Sequence, residues 1–166
     1  QRQMCIRDSS YTVNFNIAQR TKKAGYYLSG EYYRQDGMFK KGNDIYDRYN
    51  MRAKVDFQLT NWLNISNNTS FAFRKYDKPN IDMESFFHEV NRKSTLDVVR
   101  NPDGTYTKSG GAILGLLENG GRSVNDRRDF STTFAATIDL LKDVWQIKAD
   151  ATFRRDSERT RRASLP

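Results

Sequence analysis

Between Tyr46 and Lys75 the chain alternates apolar and polar residues over a length that few folds can use. Tyr49, Met51, Ala53, Val55, Phe57 and Leu59 are apolar, and Asn50, Arg52, Lys54, Asp56 and Gln58 between them are polar or charged. A period of two is the pattern of a β-strand whose faces meet unlike surroundings. After Thr60 and Asn61 the pattern resumes, with Leu63, Ile65, Phe71 and Phe73 against Asn64, Ser66, Asn68, Ser70 and Arg74. It predicts two strands, 46–59 and 62–75, joined by a tight turn. Asn67 falls on the apolar parity and breaks it.

Strand length narrows the choice. Globular strands run about five or six residues, a tilted bilayer-crossing strand needs about nine to eleven, and each run here alternates for about twelve. A soluble sandwich would bury the apolar face. A membrane barrel would turn it to lipid and the charged face to a wet lumen, and the length favours the barrel.

The same alternation predicts four further strands, at 11–18, 26–34, 130–140 and 144–155. The tyrosines of 26–34 leave the facing of that strand open. The connections run short, medium, tight, very long (76–128) and tight (around Lys142 and Asp143), so short and long alternate. Outer-membrane barrels have this asymmetry between their two rims, and a Greek-key sandwich has no reason for it. Tyr46, Tyr49, Trp62 and Trp145 lie near strand ends and are candidate interface aromatics.

The long connection predicts structure of its own. Met83, Phe86, Phe87 and Val90 fall at helical spacing within 81–92, behind Asn80 and Asp82 as caps. NPDGTY at 101–106 reads as a turn, and 111–119 as a second short helix stopped by Gly120 and Gly121. Phe86, Phe87 and His88 are candidate loop contacts to a ligand.

Composition sets exclusions. No run of about eighteen apolar residues predicts a transmembrane helix, and a mean hydropathy of −0.84 is compatible with a barrel because alternation hides the apolar band from any average. The single Cys5 allows no internal disulfide and no cysteine metal site. The net charge of +8 is spread along the chain until RRDSERTRR near its end, so no nucleic-acid partner is expected. One His without an HExxH pattern is a poor metal site, and acidic pairs such as Asp82 with Glu84 are expected by chance among 20 acidic residues. No catalytic residue, metal or cofactor is expected, and the chain is read as not an enzyme. Residues 1–9 have no period and resemble a translated sequencing-adapter peptide, so they and Cys5 are expected not to be native; residues 10–166 then read as a fragment.

The run GYYLSGEYYRQDGMFKKGNDIYDRYNMRAKVDFQLTNWLNISNNTSFAFRK, with NPDGTY and LGLLENGG after it, resembles the barrel segment of SusC/RagA-type TonB-dependent outer-membrane transporters of Bacteroidota. The likeness lies in the order of a YY-x-S-G-x-Y strand, a Q-D-G loop, an R-Y-N-x-R strand and an N-W-L start. It implies an all-β fold, in which antiparallel up-and-down strands form part of a large transmembrane barrel with one long extracellular loop carrying short helices. It also implies import of oligosaccharides or peptides across a Gram-negative outer membrane, with a SusD-like surface lipoprotein and the TonB complex as partners. Arg52, Lys54, Asp56, Arg74, Lys148, Asp150 and Arg154 would then line the lumen. Met51, Val55, Phe57, Ile65, Phe71, Phe134, Ile138, Ile147 and Phe153 would face outer-membrane lipid. The alternative from another class is a soluble β-sandwich that binds carbohydrate or protein.

Overall fold

The computed structural model describes residues 9–37, 39, 42–94, 96–141 and 145–164. Six antiparallel strands form one open sheet in sequence order. They are β1 (Ser10–Arg20), β2 (Ala24–Asp36), β3 (Ile45–Gln58), β4 (Leu63–Pro79), β5 (Arg122–Leu141) and β6 (Trp145–Ala163). The expected turn at Lys142 and Asp143, and residues 1–8 with Cys5, lie outside the described residues.

The register carries the alternation across the whole sheet. Directly opposed residues of an antiparallel pair project from the same face. Leu28 pairs Ala53, Ala53 pairs Thr69, Thr69 pairs Thr132 and Thr132 pairs Phe153. One step along, Ser29, Arg52, Ser70, Ser131 and Arg154 form the neighbouring row on the other side. A slip of one residue in any pair would mix the two classes. The facing of β2 is thereby settled: Tyr26, Leu28, Gly30 and Tyr32 join the apolar face, where the ring of Phe15 covers Gly30.

Strands β4, β5 and β6 run well past the predicted ends, and the long connection shrinks to residues 80–121. The added stretches, 122–129 and 156–163, are polar at every position but Val124 and Ala163, and Ser123 and Asp126 are buried among them. A strand without an apolar side has no alternation to read. It is held instead by its ladder and by cross-strand ion pairs, Arg161 with Asp126 at 2.6 Å and Arg122 with Asp77. The tight turn is also one residue longer at each side, with Leu63 N–H donating to the Thr60 carbonyl across a 59–62 loop.

The core does not lie against the sheet. Among the described residues the buried apolar side chains are Phe86, Leu117 and Pro79, all at the long-loop rim. Helix α1 (Met83–Arg92) starts at Asp82, whose carboxylate accepts from the Ser85 N–H at 3.2 Å. Helix α2 (Lys108–Gly110) continues through a π-turn at Gly111–Gly115 into α3 (Leu116–Asn119). Phe39 and Gly42, from the connection between β2 and β3, close on this unit, with Phe39 edge-on to Phe86 at 5.7 Å. Gly42, at φ +80°, passes so close that a Cβ would meet the Leu117 carbonyl at 2.9 Å. NPDGTY is a small turn in which Gly104 N–H donates to the Asn101 carbonyl at 2.9 Å.

Candidate functional site: a two-faced sheet

The polar face is a trough. Asn16, Ser29, Arg52, Ser70, Ser131 and Arg154 occupy one register row, one residue per strand, and together line a cavity of about 660 Å³. Six strands about 4.8 Å apart span roughly 24 Å, so a row of that width lines one cavity only if the sheet curls toward it. The polar face is therefore concave and the apolar face convex.

Charges in the trough are largely paired along the strands. Arg74 and Arg127 both reach Asp129 at 3.3 Å, Arg154 reaches Asp156 at 3.3 Å, Lys54 reaches Asp56 at 3.5 Å, and Arg48 holds Glu31. All seven candidate lumen residues, Arg52, Lys54, Asp56, Arg74, Lys148, Asp150 and Arg154, lie on this face. They are brought together as one wall.

The nine candidate lipid-facing residues share the opposite face. Phe134 is 57 % exposed, Phe153 60 % and Val13 58 %. The band runs from Tyr49 to Phe57 on β3 and from Leu63 to Phe73 on β4. At about 3.4 Å per residue it extends roughly 27–34 Å along the strands, or about 21–26 Å in height for strands tilted near 40°.

Asn67, the residue out of pattern, is satisfied in place. Its amide donates to Thr132 Oγ1 at 3.1 Å, the Thr69 hydroxyl donates to its Oδ1 at 2.9 Å, and the two hydroxyls lie 2.8 Å apart. Three polar side chains on the apolar face thus satisfy one another in a closed ring.

Aromatic rings mark both ends of the band. On the long-loop side Tyr11, Tyr32, Tyr49 and Phe73 follow one another across four strands, with centroids 5.5, 4.7 and 6.0 Å apart. At the short-turn end stand Trp62 and Trp145, both exposed. Tyr46 is not part of the belt, because its parity places it on the polar face, between Tyr33 at 6.1 Å and Tyr76 at 6.2 Å. Strand-end position suggested a belt residue, whereas its even number, shared with Arg52, was the better signal. That tyrosine row at the mouth of the trough is what sequence reasoning missed.

In the loop unit, Phe86 is a core residue, while Phe87 and His88 are exposed. Arg100 lies over the Tyr106 ring at 4.2 Å and pairs with Glu118 at 3.5 Å, tying the small turn to α3. Hydrogen bonds from the Ser85 hydroxyl and N–H hold the Asp82 carboxyl below its ordinary range, and those from Thr105 do the same for Asp103. Among the described residues no three His, Cys, Asp or Glu side chains come together as a metal site. Nor, among the described residues, is any helix long and apolar enough to cross a membrane.

These features define an all-β protein built as a six-stranded antiparallel meander, with a convex apolar face and a concave charged one. No protein-family model matches the chain, and a search of curated proteins finds no match.

Proposed function

We propose that the chain is an arc of the wall of an outer-membrane transporter of the SusC/RagA type, importing oligosaccharides or peptides and performing no catalysis itself. The observation that carries the membrane reading is the uncovered apolar band. The chain exposes 13,035 Å², against roughly 8,500 Å² for a compact monomer of its mass. An open sheet leaves both faces uncovered, and the apolar one, with Phe134 57 % and Phe153 60 % exposed, is where a water-soluble protein would place its core. Band height, the closing aromatics and the wet concave side are those of a barrel wall, and lipid would cover the convex face. Six strands are too few to close such a wall, and β1 and β6 present open edges that further strands would pair in a membrane.

The transport reading rests on the ordered sequence motifs. On it the rim unit of 37–44 and 80–121 faces the cell exterior, where a SusD-like lipoprotein would meet it, and the TonB complex would supply energy from the other side. The test is fractionation of the intact gene product, followed by growth of a deletion strain on single glycans and peptides. Recovery in the outer membrane, with loss of growth on one such nutrient, is expected. A soluble, monomeric product would refute the reading in favour of a soluble binding module.

A further inference from the structure

The geometry points to a binding site for phosphate-bearing lipid headgroups on the convex face, formed by Arg128, Arg155 and Arg159 across the long-loop edge of the apolar band. This rests on the membrane reading above. Arg128 pairs Phe73 on one side and Ser157 on the other, which places Arg155 and Arg159 on the two diagonals of Arg128. Diagonal neighbours on one face stand about 7–8 Å apart, so Arg155 and Arg159 flank Arg128 within the reach of long side chains. All three are exposed.

The cluster is not neutralised from within. Asp126 stands directly opposite Arg159, but its carboxylate is held by Arg161 at 2.6 Å. No carboxylate among the described residues lies within ion-pair distance of Arg128, Arg155 or Arg159; Arg128 instead rests over the Phe73 ring at 5.6 Å. Lys75, opposite Asp126, adds a fourth cation at the border, next to Asp47, which takes the Tyr32 hydroxyl at 2.9 Å. The surplus is therefore positive.

Position selects the ligand. Phe71 and Phe130 share the row of Arg155, Phe153 lies on the short-turn side of that row, and the aromatic row ends at Phe73 beside Arg128. A molecule with acyl chains on those rings places its phosphate among the three arginines at that edge. Guanidinium binds phosphate through paired, charge-assisted hydrogen bonds, and a basic surface beside a bilayer draws anionic headgroups. A free anion would gain only the charges, whereas a lipid also covers the phenylalanines.

The test reconstitutes the intact gene product in phosphatidylcholine vesicles and measures the association of spin-labelled phosphatidylglycerol relative to spin-labelled phosphatidylcholine. Phosphatidylglycerol should be preferred several-fold. The double variant R155Q/R159Q should lose at least about fivefold of that preference, and R127Q/R162Q, on the polar face of the same two strands, should keep it. Equal behaviour of the two doubles overturns the site, as does displacement of the labelled lipid by inorganic phosphate, which would make it a free-anion site. Should R155Q/R159Q fail to reconstitute, R128Q and R159Q singly carry the same comparison. Failure of the unaltered protein to enter phosphatidylcholine vesicles overturns the membrane reading itself, and the headgroup site with it.

Discussion

Arginine placed at different depths on the convex face separates a lipid-facing band from a buried protein core. On β3 the band runs from Tyr49 to Phe57, so Ala53 stands at its middle. Phe57 is four residues nearer the short turns on the same strand, about 14 Å along it and about 10 Å in depth at a tilt near 40°. Ala53→Arg should therefore cost roughly 2–4 kcal/mol, and Phe57→Arg, at the edge of the band, only about 0–1. Ser66→Arg and Thr137→Arg, on the polar face, should be mild. The assay is reversible urea unfolding of the intact gene product in lipid vesicles, one variant at a time. A soluble core has no depth axis, so it would penalise Ala53→Arg and Phe57→Arg alike. Equal costs at those two sites, or equal costs on the two faces, would refute the reasoning.

The polar ring on the apolar face should behave as a unit: Asn67→Ala is expected to cost about 1 kcal/mol by leaving the hydroxyls of Thr69 and Thr132 short of a partner, while N67L/T69V/T132V should be near neutral, measured in the same urea titration. Gly121, at φ +95° with its Cβ position 1.9 Å from the Ala163 carbonyl, should not tolerate Ala; a loss above about 1 kcal/mol is expected, seen as easier proteolysis of the rim. The Asp82 cap should be pH-dependent. Its folded pKa is lowered from the ordinary 3.8, so its stabilisation of α1 is complete above that value and fades as pH falls through the lower folded value. Acid should expose 83–92 to a low-pH protease in the unaltered protein, and Asp82→Asn, which caps without titrating, should remove that pH dependence.

Much of the fold was legible because the sheet's contacts repeat the simplest sequence signal. Two-residue periodicity located all six strands and sorted the residues of every strand but β2 onto two faces, since alternate side chains of a strand project to opposite sides. It failed where neither side is apolar: 122–129 reads as loop, and RRDSERTRR reads as a basic block rather than the end of β6. The caps of α1 were legible at Asp82 because its hydrogen bonds are local. The contacts of Phe39 with Phe86 and of Gly42 with Leu117 were not, because they join segments tens of residues apart.

The sequence by itself determined the presence of six strands, the parity of all but β2 and the short-long order of their connections, because these follow from backbone geometry and nearest neighbours along the chain. Only the tertiary structure decided the register, and with it everything that lies across strands: the facing of β2, the curl that makes the polar face a trough, the Asn67–Thr69–Thr132 ring, and the gathering of Arg128, Arg155 and Arg159. Those residues are far apart in the chain and meet only through the pairing of β3 with β4, β4 with β5 and β5 with β6, which a one-residue slip in any pair would have undone.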